Sequence, residues 1–162
     1  IRADETRRYV VPSAPGKRFN GDTKVTDMLY RCYYSAANGE DFSGQLKQIK
    51  ARYNEIIGGL NLKLSLDHEF DMIRENFGKK IGRDYAASRG EYLNGIIMAN
   101  YLGFCFIDAA EVIRFHEDGS LDDEKTNELL SLRLGRGRIC CHPWILRCER
   151  RRNHCHIFPR RF

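Results

Sequence analysis

Two short runs hold residue types that could handle a small anionic or zwitterionic molecule. Ser13-Ala-Pro-Gly16 follows directly on an apolar run, and small residues there let backbone N–H groups approach a phosphate closely. A simple tight turn is the competing reading. Ser88-Arg-Gly-Glu91 opens the apolar face of a helical pattern, where the carboxylate could receive an amino group. A solvated glutamate on the helix surface competes with that. Lys17, Arg18 and Lys24 could steer phosphate towards the first run or stand in solvent as ordinary loop cations. Asp108, between two apolar segments, reads as a turn or cap residue. Cys32 and Cys105 lie in apolar surroundings and read as reduced core cysteines of a cytosolic protein.

The elements that must position these residues follow from periodicity. The run from Arg8 to Gly16 reads as a buried strand entering a loop, and Gly21 to Asp27 leads into a helix carrying Met28, Leu29, Cys32 and Tyr33. A helix over Phe42 to Leu60 puts Leu46, Ile49, Tyr53, Ile56, Ile57 and Leu60 on one face. Another follows Asp67, with Phe70, Ile73 and Phe77 on a stripe, and stops at Gly78. Asp84 to Tyr101 is the longest helical pattern, closed by Gly103. Gly103–Asp108 and Val112–Phe115 read as short buried strands, with a turn over His116–Ser120. Ser120-Leu-Asp-Asp123 reads as a capping box opening a helix through Leu132. Strands separated by helices indicate an α/β layer fold with a largely parallel sheet, whose ligand chemistry sits in the loops after the strands.

The composition separates two unlike stretches. The 162 residues carry a net charge of +5, yet residues 135–162 alone hold eight Arg, no Lys and one acid, a net of +7. Residues 1–134 are left with −2. There is no run of about 18 apolar residues to span a membrane. The chain opens at Ile1 without a start methionine or a signal core, and is read as cut from something longer. The tail offers Cys140, Cys141, His142, Cys148, His154, Cys155 and His156 as zinc ligands and its arginines as phosphate contacts. Their spacing departs from the paired pattern of structural zinc sites, and arginine without lysine is unusual for a basic arm.

Four segments of the body, in order and spacing, carry a resemblance: Val10-Val-Pro-Ser-Ala-Pro-Gly16, Lys24-Val-Thr-Asp-Met-Leu29, Ser88-Arg-Gly-Glu-Tyr-Leu93 and Phe106-Ile-Asp-Ala-Ala-Glu-Val-Ile113. The chain resembles aspartate kinase, in the amino-acid kinase family. The resemblance implies an α/β fold, the three-layer α/β/α amino-acid kinase (carbamate kinase-like) architecture, here incomplete. It implies transfer of the ATP γ-phosphoryl group to the side-chain carboxylate of L-aspartate, the first step towards lysine, threonine and methionine. By position, Ser13 and Ala14 match the loop near substrate and phosphates, Thr26 a threonine that contacts aspartate, and Glu91 the glutamate that binds its amino group. ATP and Mg²⁺ are implied for the intact family enzyme, along with a cytoplasmic homo-oligomer that binds neither nucleic acid nor membrane. A family member with a different acidic substrate is the nearer rival, and a small Arg/Cys/His-rich zinc- or nucleic-acid-binding protein the more distant one.

The sequence departs from the family pattern at both ends. It holds neither a Lys-Phe-Gly-Gly-Ser loop, which supplies the catalytic lysine, nor an Arg-Gly-Gly-Ser-Asp segment. The reading is therefore residues 1–134 as a partial, aspartate-binding amino-acid kinase domain and 135–162 as an aberrant tail, with no catalytic residue assigned and no activity expected of the chain alone. Codons one base later than those of the tail permit Tyr-Ala-Ala-Ile from Ile139 to Pro143, Pro-Gly-Phe-Tyr-Gly from Pro143 through Cys148, and Thr-Phe-Ser-Arg-Gly-Gly-Ser from His156 through Phe162. The expectation is a one-base frame shift near Leu132 to Gly135. Such a tail has no selected fold, and its apolar residues (Ile139, Trp144, Ile145, Leu146, Phe158, Phe162) are expected to pack loosely or stay exposed.

Overall fold

Apolar residues at three- and four-residue steps build four helices: α1 (Val25–Ala37), α2 (Ser43–Gly59), α3 (Asp67–Gly78) and α4 (Arg83–Leu102). The computed structural model describes Ala3, residues 9–134 and, as backbone strands, residues 140–141, 147–148 and 155–156. One core joins the four helices. It takes Val25, Leu29 and Cys32 from α1, Leu46, Ile49 and Tyr53 from α2, Phe70, Ile73 and Phe77 from α3, and Ala86, Leu93 and Ile97 from α4. The stripes expected on α2 and α3 are the buried ones, with Ile56 and Leu60 at the core's edge. The helix α4 is enclosed on most sides, which is why its apolar pattern is broad rather than one-sided. It ends at Gly103, whose φ of 73° is the left-handed turn that glycine adopts most easily.

The strands are fewer and shorter than expected, and the described chain is mostly helical. Two-residue β1 (Tyr9–Val10) and β2 (Cys105–Phe106) both pair in parallel with β3 (Cys140–Cys141), which lies between them. The segments Arg147–Cys148 (β4) and Cys155–His156 (β5) pair antiparallel with each other. Val112–Phe115 is not a strand. The Asp108 carboxylate accepts from the Ala110 N–H at 3.0 Å and opens the single-turn α5 (Ala109–Val112), which takes in Val112, while Ile113 beyond it is extended. Only Phe115 keeps a bridge, to Leu121. The turn over His116–Ser120 forms, with Gly119 at a positive φ.

The cap of α6 (Asp123–Leu134) also differs from expectation. Asp122, not Ser120, accepts from the Lys125 N–H at 2.9 Å, while Ser120 turns its N–H and hydroxyl to Asp118. Both segments carry acids at suitable spacing, and the tight turn at Gly119 consumes the first of them. Among the described residues no helix is long and apolar enough to cross a membrane.

Candidate functional site

The parallel strand β1 delivers the Ser13–Gly16 loop onto α4. The loop is seated by several contacts of different kinds. Asn94 Nδ2 donates to the Ser13 carbonyl at 2.6 Å, and the Val25 N–H donates to the Pro15 carbonyl at 3.3 Å. Beneath it, Gly90 leaves no room: a Cβ there would stand 2.7 Å from the Ala14 methyl, 3.5 Å from Leu29 and 3.7 Å from Val25. From α2, the buried Tyr53 hydroxyl donates to the Gly90 carbonyl at 2.7 Å.

A glycine inside a helix normally gains about 1 kcal/mol on replacement by alanine. At Gly90 the overpacking cost of about 1–3 kcal/mol should reverse that sign. Urea unfolding is expected to show Gly90→Ala destabilised, while Gly58→Ala, with nothing among the described residues within 4 Å of its added methyl, is neutral or stabilised.

Glu91, next to this close approach, is only 8% exposed, so the solvated-surface reading of this residue is excluded. Burial pushes its carboxyl up to about 7, against the opposing pull of its own backbone N–H, the Ala14 N–H and the nearby Arg89 charge. Among the described residues the Oε2 atom is buried with no hydrogen-bond partner. Such an orphaned acceptor is costly to keep unless a donor arrives. Ser88 is buried beside it, its hydroxyl donating to the Tyr85 carbonyl at 2.8 Å. Arg89 stacks against the Tyr85 and Tyr92 rings at 4.5 and 4.4 Å and donates to the Ser88 hydroxyl.

The structure thus brings Ala14 to Glu91, with Ser13 the exposed neighbour of Ala14 in the loop, its carbonyl held by Asn94. Thr26 sits in the first turn of α1, half-buried, one residue after the Val25 that touches the Gly90 position. No hydrogen bond joins Thr26 to the other three among the described residues. Arg18 is spent on ion pairs with Asp22 and Glu55, at 3.0 and 2.9 Å, while Lys17 and Lys24 are exposed. Asp108 is a cap, as described above. Cys32 is enclosed in the core, and burial pushes its thiol up to about 12, so it is not a ready nucleophile. Cys105 is a half-buried free thiol. The tail's His142 and His154 lie outside the described residues, as do the side chains of Cys140, Cys141, Cys148, Cys155 and His156. The apolar tail residues Ile139, Trp144, Ile145, Leu146, Phe158 and Phe162 are outside them too.

Two residues of this region escape a search for reactive types. Arg52 lies within the apolar face of α2, three residues after Ile49 and four before Ile56, and is buried. Asn94 lies four residues after Gly90, on the same face of α4. A charged or amide residue at an apolar-face position is a legible signal in each case.

A mostly helical chain with a few short parallel strands, a small-residue loop and a buried helical carboxylate defines the class, with a polar site between loop and helix. Within that class the chain matches a fragment of an aspartate kinase. Across 99% of its length it is similar to the aspartate kinase of Clostridium acetobutylicum, described as an allosteric enzyme, at 39% sequence identity and a TM-score of 0.90. It covers 37% of that chain. No protein-family model matches it, and no curated protein does.

Proposed function

We propose that this chain is the aspartate-binding portion of an aspartate kinase with the three-layer α/β/α fold of the amino-acid kinases. The intact enzyme would transfer the ATP γ-phosphoryl group to the side-chain carboxylate of L-aspartate, giving 4-phospho-L-aspartate on the route to lysine, threonine and methionine. It would work as a cytoplasmic homo-oligomer. The observation that carries this reading is the orphaned Oε2 of buried Glu91. An ammonium supplies the missing donor and the positive charge that offsets the desolvated carboxylate. The Ser13 and Thr26 hydroxyls, from the loop and the start of α1, are then the groups available for the substrate's carboxylates.

The sequence holds neither the Lys-Phe-Gly-Gly-Ser loop, which in the family supplies the catalytic lysine and phosphate-binding amides, nor the Arg-Gly-Gly-Ser-Asp segment. The Arg18 guanidinium beside the Ser13–Gly16 loop is already paired with Asp22 and Glu55. Phosphoryl transfer depends on positioning and on cancelling phosphate charge. The chain alone is therefore expected to bind L-aspartate and phosphorylate nothing. The purified 162-mer with ATP, Mg²⁺ and L-aspartate should give product at the rate of the blank, and measurable 4-phospho-L-aspartate would contradict this.

We also propose that residues 135–162 are read one base out of frame. The arginine-only basicity of the tail supports this reading. So does the place of β3 at Cys140–Cys141, within the stretch whose shifted codons permit Tyr-Ala-Ala-Ile. The encoding DNA decides it: the shifted frame must spell Arg-Gly-Gly-Ser near the end of the chain.

A further inference from the structure

We propose that Arg52, on a helix that supplies none of the four candidate binding residues, is the positioning residue that holds the loop of Ser13 and Ala14 and the start of α1 in register with Glu91. The inference deepens the aspartate-binding reading and rests on it for its ligand, though not for its geometry. Arg52 projects from the middle of α2 with its side chain 4% exposed. One guanidinium nitrogen, Nη1, donates to the Thr23 carbonyl at 2.6 Å. The other, Nη2, donates to the Gly16 carbonyl and stands 3.2 Å from the Asp22 carboxylate. One planar fork thus bridges the two ends of the Gly16–Thr23 segment.

Those ends matter because of what flanks them. Two residues before Gly16 is Ala14, whose N–H reaches the Glu91 carboxylate, and three after Thr23 is Thr26. The segment between closes a turn on itself, the Asp22 N–H donating to the Phe19 carbonyl at 3.1 Å and the Arg18 N–H to the Asp22 carboxylate at 3.0 Å, but it stands out in solvent. Gly21 has a positive φ, and Phe19 is 64% exposed. A second brace comes from the same helix. The Arg18 guanidinium contacts Asp22 and Glu55, and Glu55 follows Arg52 by three residues on α2. An arginine is suited to this because its fixed fork addresses two acceptors at once, whereas a lysine ammonium is a single point on a flexible stem.

The expected consequence can be read without any ligand. If Arg52 seats the loop, its replacement lets water reach Glu91 in place of the Ala14 N–H. The carboxyl then loses the desolvation that keeps its titration near neutrality. Carbon-detected NMR titration of the Glu91 carboxyl in Arg52→Lys is expected to show the midpoint falling by about one pH unit, a roughly tenfold weaker hold on the proton. L-Aspartate affinity should fall on the order of tenfold in the same variant. A midpoint coincident with that of the unsubstituted chain, in a variant that folds, would reduce Arg52 to a packing residue and overturn the proposal. Should Arg52→Lys fail to fold by circular dichroism, Asp22→Asn weakens the same clamp from the loop side. It should move the midpoint in the same direction by less, and an unmoved midpoint overturns the proposal there too. Absence of L-aspartate binding by the unsubstituted chain would sink the aspartate reading alone, because the ligand-free titration still decides the role of Arg52.

Discussion

Replacing Glu91 by glutamine is expected to stabilise the chain by about 3 kcal/mol at pH 7 and above, and to abolish its binding of L-aspartate. The sign follows from where the proton sits. The carboxyl of Glu91 is raised from 4.5 to about 7 in the folded chain. Between those values the folded chain holds a proton that the unfolded chain has released. The stability associated with protonated Glu91 is therefore complete below pH 4.5 and is lost as the pH rises through 7. Glutamine resembles the protonated side chain and carries no such term. Urea unfolding of both forms from pH 4.5 to 8 should give curves that converge at the acid end and separate towards the alkaline end. Other carboxylates, such as Asp22 and Asp67, are held below their ordinary range by charged partners, but they are common to both forms and cancel. A gain in stability together with a loss of binding is what a residue kept for function rather than for folding should show. Parallel pH profiles for the two forms would mean that Glu91 ionises like a surface glutamate.

Phe77→Ala is expected to cost about 3–5 kcal/mol, a large share of the 5–15 kcal/mol of an ordinary domain. Phe77 is fully buried near the end of α3 and is surrounded by rings from three other segments. Tyr33 on α1 lies at 5.8 Å between centroids, Phe42 before α2 at 6.2 Å and Tyr85 on α4 at 6.2 Å. Removal of the ring opens a cavity bordered by aromatic neighbours that cannot all move inward, because Tyr85 is also tied to Asn76 at 2.8 Å and stacked under Arg89. The loss should appear as a lowered urea midpoint with the four helices unfolding together, since one core joins them. Met72→Ala, five residues earlier and 46% exposed, is the control and should change stability by less than about 0.5 kcal/mol.

The helices were legible because an amphipathic stripe is a local property. Phe70, Ile73 and Phe77 announce α3, and Gly103 announces the end of α4, without reference to any other part of the chain. The strands were not legible to the same degree. A two-residue strand has too little pattern to read, and β1 and β2 gain their pairing from Cys140–Cys141, far along the chain in a stretch whose composition suggests no structure. Val112–Phe115 has the apolar run of a strand, but Asp108 caps a turn of helix that takes in its first residue, Val112, and only Phe115 of the run forms a bridge, to Leu121.

The candidate site divides along the same line. The residue types of Ser13, Ala14 and Glu91 were readable, and so was their place in the loop after a strand and on a helix. The burial of Glu91 was not, because it depends on Ala14 reaching Gly90 across about 75 residues of intervening sequence. Arg52 was missed for a related reason. Its role depends on acceptors that are backbone carbonyls, which carry no signature in sequence.

The central claim is that the buried Glu91 carboxylate receives the ammonium of L-aspartate, and two ligands that differ mainly by that ammonium test it most directly. Amide chemical-shift titrations of the 162-residue chain with L-aspartate and with succinate should show saturable shifts around Ala14, Thr26 and Glu91 for L-aspartate and much weaker ones for succinate. Glu91→Gln should remove the difference between the two. Equal affinity for both ligands with Glu91 intact, or no saturable response to L-aspartate at these residues, would contradict the account.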